Sequence, residues 1–284
     1  YIYDRLLIKL NLAGVIMINK REDVLRRIKM FVLDMDGTIY LGNELFHYTI
    51  DFLTTLSEKN REFCFFTNNS SKNRKTYISK LKNMGIDIGP EKMLISSDVI
   101  IKWLKENYKG KSVFIVGTSD LVDQFTEAEI KIDDKNPDMV ILGFDTSLTY
   151  DKISKACTFI RIGAPVFGVN ADWNCPVEGG GFIPDCGSIA ALVKASTGVQ
   201  CEFFGKPSKK TLDYIIQTTG YSEDEIAIVG DRLYTDIATA YGTRATSILV
   251  LSGESTLEDA EESDVKPDMI FKDVGELGKL IRSF

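Results

Sequence analysis

The sequence predicts an α/β fold: a Rossmann-like, doubly wound parallel sheet into which a second, smaller α/β unit is inserted. Short continuous apolar runs alternate with segments of helical periodicity, and apolar runs without polar alternation are typical of parallel strands buried on both faces. Four of these runs are followed at once by polar clusters. In open α/β sheets ligand chemistry gathers beyond the carboxyl ends of the strands, so we expect these clusters to share one edge.

The first part of the chain supplies three strand–helix pairs. Predicted strands cover residues 30–33, 63–66 and 93–95, and predicted helices cover residues 50–59, 71–84 and 98–107. We expect Ser70 or Ser71 to cap the second helix and Gly85 to close it. Alternating strands and helices of this kind are the pattern of a doubly wound sheet.

A second unit interrupts this pattern before it resumes near Lys206. The interruption contains predicted strands at 113–116, 139–142 and 166–169 and predicted helices at 153–162 and 188–197. The resumed pattern contains predicted strands at 226–229, 247–251 and 269–271 and predicted helices at 211–219, 236–241 and 274–281. We therefore predict a core domain over 21–98 plus 202–284, an inserted domain over 99–201, and an N-terminal extension over 1–20 outside the fold.

Composition and charge exclude several classes of protein. Hydrophobic residues make up 44% of the 284 residues, enough for a core, and the net charge of −7 argues against nucleic acid as the main partner. No run approaches the roughly 20 apolar residues that a membrane helix needs. The five cysteines form no CxxC pair, which is typical of reduced thiols and predicts a cytoplasmic protein. Because His47 is the one histidine, a His-rich zinc centre is excluded.

Asp34 and Asp36 follow the first predicted strand, in the segment DMDGT. Gly37 lets the chain turn, so the two carboxylates can take different roles. Asp34 can attack phosphorus and form a phosphoaspartate, while Asp36 can protonate the leaving oxygen and later activate water. A solvated Asp-Gly turn is the plain alternative. The start of an EF-hand loop is ruled out, because Leu45 stands where that loop needs a glutamate.

Thr67, Asn68 and Asn69 follow the second predicted strand and offer a hydroxyl and amides. Together with the free N–H groups of a helix that begins near Ser71, they would cradle a phosphate group. A polar turn with a helix cap is the alternative. Lys206, which precedes a proline, is a point charge that could neutralise the nucleophile and the phosphoryl oxygens. Its alternative is a surface lysine in a loop.

Asp231 and Asp236 follow the strand predicted at 226–229. Carboxylate oxygens suit Mg²⁺, which takes few protein ligands and keeps several waters. Asp34 and Asp231 could supply side-chain oxygens and Asp36 its backbone carbonyl, while Asp236 would support these ligands from behind. A helix N-cap is the alternative role for Asp236. The four clusters together predict a Mg²⁺-assisted phosphoryl-transfer site.

In this order the four clusters resemble the motifs of the haloacid dehalogenase-like (HAD) phosphatase superfamily. Further segments are similar to its NagD / 4-nitrophenylphosphatase group, subfamily IIA. These segments are TNNS at 67–70, GFD at 143–145, NxD at 170–172 and FGKP at 204–207. The resemblance implies the HAD fold with an inserted α/β cap of the C2 type. It also implies the roles given above for Asp34, Asp36 and the Mg²⁺ ligands.

The resemblance further implies a Mg²⁺-dependent phosphatase that hydrolyses small phosphomonoesters through a phosphoaspartate on Asp34. Sugar phosphates, nucleotides and 4-nitrophenyl phosphate are the candidate substrates. Asn170, Asp172 and a loop over 173–185 are candidates for substrate contacts from the cap, with a polar strand-end turn as the alternative. The expected partner is a small phosphorylated metabolite, with no nucleic acid and no membrane, and caps of this kind can carry a homodimer surface.

Three other functions stay open at this point. A phosphotransferase or phosphomutase on the same fold would pass the phosphoryl group to a sugar hydroxyl instead of water. A regulatory module would only be phosphorylated on Asp34, although Asp36 and the insert argue against this function. A non-catalytic sensor of phosphorylated metabolites would keep the motifs without turnover.

Overall fold

The computed structural model of the protein describes residues 21–177 and 181–284. Within these residues the strands form two parallel sheets and two short antiparallel hairpins. The predicted N-terminal extension, residues 1–20, lies outside the described residues.

The strands are numbered in chain order. They are β1 Met30–Leu33, β2 Tyr40–Leu41, β3 Glu44–Leu45, β4 Glu62–Thr67, β5 Met93–Ile95, β6 Ser112–Val116, β7 Lys131–Ile132, β8 Met139–Leu142, β9 Val166–Gly168, β10 Asn174–Val177, β11 Gly181–Pro184, β12 Glu202–Phe203, β13 Ile226–Gly230, β14 Thr246–Val250 and β15 Met269–Phe271. The first sheet has the order β15-β14-β13-β1-β4-β5, with every described pair parallel. The chain starts at the centre of this sheet and builds outward to both sides, so the predicted doubly wound fold class is confirmed.

The helices follow the same numbering, with α1 at 21–27. They continue with α2 Thr49–Glu58, α3 Arg74–Asn83, α4 Ser96–Asn107, α5 Ser119–Glu127, α6 Tyr150–Arg161, α7 Cys186–Thr197, α8 Lys209–Thr219, α9 Ala238–Ala240, α10 Leu257–Glu262 and α11 Val274–Arg282. None of the helices within 21–177 and 181–284 is long and apolar enough to span a bilayer.

The helix predicted from residue 71 begins later than expected. The side chain of Asn73 caps α3 by accepting a hydrogen bond from the Thr76 N–H at 3.0 Å. The Ser70 hydroxyl, predicted as a cap, instead accepts from the Phe144 N–H at 2.9 Å and donates to Asn170 Oδ1 at 2.8 Å. The prediction of a cap at Ser70 or Ser71 was therefore wrong, because a contact with the inserted unit takes the Ser70 hydroxyl.

The helix predicted over 236–241 is also different in form. The segment Leu233–Ile237 is a π-helical turn, and α9 follows it as a short α-helix. π-Turns of this kind are frequent at functional sites, and this one contains Asp236.

The second sheet has five parallel strands in the order β12-β9-β8-β6-β7. The sequence prediction missed its edge strand β7 and the helix α5 that precedes it. Glu202 of β12 pairs with Phe167 of β9, so this sheet continues past residue 201, where the sequence prediction ends the inserted domain. The limits 99–201 stay a prediction, while the strands of the second sheet lie between residues 112 and 203.

The segment 173–185, predicted as a loop, contains the antiparallel hairpin of β10 and β11. Asn174 pairs with Pro184 and Cys175 with Ile183 across it, so the loop prediction was wrong for Asn174–Val177 and Gly181–Pro184. Residues 178–180, between these strands, lie outside the described residues.

A shared apolar layer joins the two sheets. Phe66 of the first sheet and Val113 of the second belong to one cluster of buried side chains. In the same layer Phe204 is fully buried, and its ring centroid lies 4.8 Å from that of Trp103 and 5.9 Å from that of Phe167. Each aromatic pair of this kind adds about 0.5–1.5 kcal/mol beyond its buried area. The inserted unit is therefore packed against the core, and it faces the carboxyl edge of the first sheet.

Candidate active site

Three carboxylates meet at the carboxyl edge of the first sheet. Asp34 follows β1, and its backbone N–H donates to the Val229 carbonyl at 2.8 Å. Asp231 follows β13, the neighbour of β1, and Asp236 lies in the π-helical turn beyond it. One oxygen from each of the three carboxylates lies within 4.8 Å of the other two. The structure thus places the predicted Asp34, Asp231 and Asp236 in one cluster.

Lys206 lies at the centre of this cluster and is 3% exposed. Its Nζ donates to Asp34 Oδ1 at 2.7 Å, to Asp236 Oδ1 at 2.5 Å and to the Phe66 carbonyl at 3.2 Å. Burial opposes the charge of the ammonium group, yet Asp236 and Asp34 hold the pKa of Lys206 above its ordinary value. Lys206 is therefore a cation fixed beside the predicted nucleophile, and its role as an exposed surface lysine is excluded.

The carboxylates are costly to ionise together in this site. Burial raises the pKa of Asp34 to about 6, although Lys206 opposes the shift. Burial, followed by the charges of Asp34 and Asp236, raises the pKa of Asp231 to about 8. The positive charges of Lys206 and of the nearby Arg232 thus do not compensate three close carboxylates, and the site favours an additional cation.

Asp231 also provides a direct indication of where that cation would bind. Its Oδ2 accepts the Glu254 N–H at 2.7 Å, whereas its buried Oδ1 has no hydrogen-bond partner among the described residues. An unpartnered buried carboxylate oxygen is costly unless a cation or water satisfies it. Hard carboxylate oxygens suit a divalent cation such as Mg²⁺, so the donor set of Asp34 and Asp231 fits the metal that the sequence predicts.

Asp36 lies directly before the turn that follows β1 and lines the cavity described below. The turn depends on Gly37, which has a φ of 87° and whose N–H donates to the Tyr40 carbonyl at 2.8 Å. A Cβ at this position would come within 2.4 Å of Asp231 Oδ2, so the close approach of the two segments needs glycine. Burial raises the pKa of Asp36 above its ordinary value, which favours its protonated form.

The second motif forms a tight polar turn after β4. The Asn69 N–H donates to Thr67 Oγ1 at 3.1 Å. Asn68 Nδ2 donates to Asp172 Oδ2 at 2.7 Å and to the Lys206 carbonyl at 2.9 Å, and its Oδ1 accepts the Lys206 N–H at 2.8 Å. Because α3 begins only at Arg74, the predicted phosphate cradle lacks the helix N–H groups near residue 71. The walls of the site come instead from Thr67, Asn68 and Asn69, which line the cavity.

The two cap residues predicted to contact substrate occupy different positions. Asp172 lines the cavity, whereas Asn170 is fully buried behind the wall. Asn170 Nδ2 donates to Asp172 Oδ2 and to Asp185 Oδ1, each at 2.9 Å, and its Oδ1 accepts the Ser70 hydroxyl. This geometry makes Asn170 a brace for Asp172 and Asp185 and offers no direct contact with a molecule in the cavity.

Arg232 is the main cavity residue that sequence reasoning missed. Its guanidinium NH1 lies 3.6 Å from Asp172 Oδ1, and its Nε lies 2.8 Å from Glu254 Oε2 at an angle that makes no hydrogen bond. Burial opposes its charge, but Asp231 and Asp34 hold the pKa of Arg232 above its ordinary value. The sequence could have indicated Arg232 through its position directly after Asp231, because residues that follow the end of a buried strand lie near the site.

Asp185 and Cys175 are two further cavity residues that came from the segment predicted as a loop. Burial, followed by the charge of Asp172, raises the pKa of Asp185 to about 7. Burial and Asp185 raise the pKa of the Cys175 thiol to about 12, so this thiol is a neutral lining group at ordinary pH.

A cavity of about 340 Å³ lies between the core edge and the inserted unit. It is lined by side chains of both units, and the lining includes the predicted Asp34, Asp36, Thr67, Asn68, Asn69, Asp172 and Lys206. Cavities of roughly 300–1,000 Å³ suit small molecules, so this one admits a small ligand rather than a polymer.

The fold and the site define an enzyme with a doubly wound core, an inserted α/β unit over the carboxyl edge and an aspartate-rich site between them. The family model described as "Haloacid dehalogenase-like hydrolase" matches residues 31–131, and one described as "HAD-hydrolase-like" matches residues 203–277. The chain belongs to the HAD-like hydrolase family. HAD phosphatases generally use a divalent metal ion.

Similar proteins narrow this assignment. The acid sugar phosphatase of Staphylococcus aureus strain MRSA252 is 34% identical over 253 residues, which are 89% of this chain and 97% of that protein. The crystal structure of a 4-nitrophenylphosphatase from Thermotoga maritima superposes with a TM-score of 0.87 at 42% identity, over 90% of this chain and 98% of that one. NagD from Escherichia coli K-12 superposes with a TM-score of 0.81 at 29% identity, over 88% of this chain and 98% of that one. The predicted membership of the NagD / 4-nitrophenylphosphatase group, subfamily IIA, is confirmed. The chain is an enzyme of a group whose named members are phosphomonoester hydrolases.

Proposed function

We propose that the protein is a Mg²⁺-dependent phosphatase that hydrolyses small phosphomonoesters through a phosphoaspartate on Asp34. The observation that carries this proposal is the position of the Asp34 carboxylate. It opens into a cavity of small-molecule size, with Lys206 Nζ at 2.7 Å and oxygens of Asp231 and Asp236 within 4.8 Å. A nucleophile needs such a fixed cation beside it, because the phosphoryl group that it attacks is itself an anion.

The residues that would hold Mg²⁺ are the side chains of Asp34 and Asp231 and the backbone carbonyl of Asp36. The unpartnered Oδ1 of Asp231 supports this ligand set. Asp236 accepts a hydrogen bond from Lys206 Nζ and from the Arg232 N–H, and these contacts support a role in positioning the neighbouring groups rather than as a direct ligand. When bound, Mg²⁺ would stabilise negative charge on the phosphoryl oxygens and keep Asp34 ionised.

In the first step an Asp34 carboxylate oxygen forms a bond to phosphorus while the bond from phosphorus to the ester oxygen breaks. Asp36 donates its proton to the departing oxygen and becomes a carboxylate. Its raised pKa supports this role as the acid. Lys206, the Thr67 hydroxyl and the polar turn at Asn68 line the space where the phosphoryl oxygens would lie. The products of this step are an alcohol and a phosphoaspartate.

In the second step water attacks phosphorus, and the bond between phosphorus and the Asp34 oxygen breaks. Asp36, now a carboxylate, accepts the proton from the water, so that both catalytic residues return to their starting states. The products are inorganic phosphate and the free enzyme. A separate base is therefore not needed.

Sugar phosphates, nucleotides and 4-nitrophenyl phosphate are the substrates that we propose. Support comes from the names of the relatives, an acid sugar phosphatase and a 4-nitrophenylphosphatase, and from the size of the cavity. The inserted unit, which supplies Asp172, Asp185 and the β10–β11 hairpin, would act as the cap that selects the leaving group. The homodimer through the cap remains a prediction.

Phosphate release from a panel of these esters, with Mg²⁺ and with EDTA, tests the proposal. We expect metal-dependent release by the wild type and none by Asp34→Asn, while Asp51→Asn, an exposed carboxylate on α2, should behave as the wild type. Release that continues unchanged in Asp34→Asn would contradict the phosphoaspartate route. Turnover that needs an added sugar hydroxyl acceptor would favour the phosphotransferase or phosphomutase, and binding without any turnover would favour the sensor.

A further inference from the structure

A row of side chains on one wall of the cavity has no role in the reaction proposed above. Lys72, Thr76 and Lys80 all line the cavity. Thr76 and Lys80 lie four residues apart in α3, the spacing that places side chains on one face of a helix. Lys72 lies just before α3, and Thr76 and Lys80 lie within it. This face of α3, together with Lys72 just before it, forms a basic wall that is distinct from Lys206.

The two lysines of this wall form no ion pair with a carboxylate of the residues that the structure describes. The other cations of the cavity, Lys206 and Arg232, each lie within 4.0 Å of carboxylates. Within 21–177 and 181–284, no carboxylate oxygen comes within 4.0 Å of Nζ of Lys72 or Lys80. The Lys80 Nζ lies instead 4.0 Å from the centroid of the Tyr40 ring, in a cation–π contact.

The environment of Lys80 indicates that its charge is incompletely compensated. Burial lowers the pKa of Lys80, Asp36 opposes this shift, and the nearby Lys72 adds to the lowering. Two ammonium groups that lie close enough to repel one another are stabilised by an anion that contacts both. The wall is therefore suited to bind negative charge.

We propose that Lys72 and Lys80 bind a second anionic group of the substrate, carried on the leaving group. This inference rests on the proposed phosphatase function. Lys206 lies beside Asp34 and meets the phosphoryl group that is transferred, so an anion at Lys80 belongs to the rest of the molecule. The preferred substrates are then phosphomonoesters of an alcohol that also bears a carboxylate or a second phosphate.

The cavity has room for such a leaving group. A second cavity of about 690 Å³ runs along α3 and shares Asn43, Thr76 and Lys80 with the first. Asn43 lies in the turn between β2 and β3, from which its amide can donate to the same anion. A leaving group that extends past Lys80 therefore enters open space between two hydrogen-bonding walls.

The test compares two series of probes for the wild type and for Lys80→Gln and Lys72→Gln. The first series consists of ω-carboxyalkyl phosphates of increasing chain length, and the second of ω-hydroxyalkyl phosphates of the same lengths. The measured quantity is the ratio of kcat/KM for the charged over the neutral member of each pair. We expect a ratio above 1 at the chain length that reaches the wall, and a fall of about 5-fold in that ratio for each lysine removed. Because the ratio is taken within one protein, a partly unfolded variant does not alter it.

Lys82→Gln is the matched control, because Lys82 lies on the same helix and lines neither cavity. It should leave both the ratio and the activity unchanged. A third arm of alkyl bisphosphates distinguishes the sources of the anion: a larger ratio than for carboxylates indicates a second phosphate. High salt should lower the ratio if the contact is ionic.

Two results would overturn the inference. A wild-type ratio near 1 at every chain length, with 4-nitrophenyl phosphate still hydrolysed, would mean that the wall binds no second anion, while the phosphatase function stands. An equal loss on charged and neutral probes in Lys80→Gln would mean that this lysine only covers Tyr40 or contacts the transferred group. If no ester releases phosphate, the proposed function itself fails and this inference fails with it.

Discussion

The two walls of the cavity use their carboxylates in different ways. On the core wall Asp34 lines the cavity, and one carboxylate oxygen each of Asp34, Asp231 and Asp236 lies within 4.8 Å of the other two. Lys206 forms ion pairs with two of them, Asp34 and Asp236. On the wall of the inserted unit Asp172 and Asp185 are joined through the side-chain amide of Asn170. An amide satisfies carboxylates and fixes their positions, whereas crowded carboxylates with an unpartnered oxygen remain open to a cation. From this comparison we infer that the core wall performs the reaction and that the wall of the inserted unit determines the shape of the cavity.

Asp34→Asn is the strongest test of this division. We expect kcat to fall by about 10⁴-fold or more, because the nucleophile is removed and the other groups cannot replace it. Steady-state phosphate release with 4-nitrophenyl phosphate and Mg²⁺ measures the loss. The fold should survive, since the variant removes a buried carboxylate whose pKa is already raised. A loss below about 10-fold would place the nucleophile elsewhere.

Asp36→Asn should break the reaction at a different point. We expect kcat to fall by about 10²–10⁴-fold, the usual contribution of a general acid–base group. With a good leaving group such as 4-nitrophenolate the first step needs little acid, so the phosphoaspartate should accumulate. Intact-protein mass spectrometry after rapid mixing would detect it. Equal residual activity in Asp34→Asn and Asp36→Asn, without a phosphorylated species, would contradict the separate roles.

The stability of the metal-free protein should depend on pH through the core wall. The pKa values of Asp34 and Asp231 are raised in the folded state to about 6 and about 8, so the unfolded state binds fewer protons over this range. The free energy of unfolding should therefore fall as the pH rises from about 4 to about 8. Adding Mg²⁺ at 100 times its Kd should restore about 3 kcal/mol at the upper end.

Urea unfolding in EDTA and in Mg²⁺, at several pH values, measures this effect. Asp231→Asn is the informative variant, because it should raise the metal-free stability at pH 8 and abolish the Mg²⁺ response. A metal-free stability that rises with pH over this range would contradict the crowding of carboxylates in the core wall.

The difference between the walls also explains what the sequence could predict. Asp34 and Asp231 were predictable because each directly follows a buried strand, and parallel strands end at one edge. Asp185 lies in the segment 173–185 that the sequence offers for substrate contacts, but its particular place in the cavity depends on how the inserted unit packs on the core, which short-range patterns do not record. Arg232 directly follows Asp231 just beyond β13, yet arginine is an ordinary surface residue type, so its residue type alone did not mark it as a cavity residue.

The start of α3 shows the same limit at a helix end. Ser70 and Asn73 are both good N-caps by residue type. The chain selects Asn73, because the Ser70 hydroxyl lies between Asn170 and the Phe144 N–H of the inserted unit. A contact across 100 residues of sequence therefore decides a local boundary. The strands of the first sheet were located to within a residue or two, since continuous apolar runs depend on burial alone.

Asn170→Ala is the smallest of the expected effects and the one that separates shape from chemistry. The sequence predicted Asn170 as a substrate contact, whereas the structure gives it the amide bridge between Asp172 and Asp185. Its loss leaves two buried carboxylates with fewer donors, so we expect the free energy of unfolding to fall by about 1–3 kcal/mol. Asn107→Ala, at the exposed end of α4, should cost within about 0.5 kcal/mol as the matched control.

Kinetics on the same variant decides between the two roles. If Asn170 acts only as a brace, kcat for 4-nitrophenyl phosphate should change by less than about 3-fold where the variant is fully folded, because no core-wall group loses a partner. A direct contact would instead raise KM for substrates with a large leaving group and leave the unfolding free energy near that of the wild type. Such a result would mean that Asn170 of the inserted unit contacts the substrate directly. The proposed division, in which the core performs the reaction and the inserted unit only positions side chains, would then be wrong at Asn170.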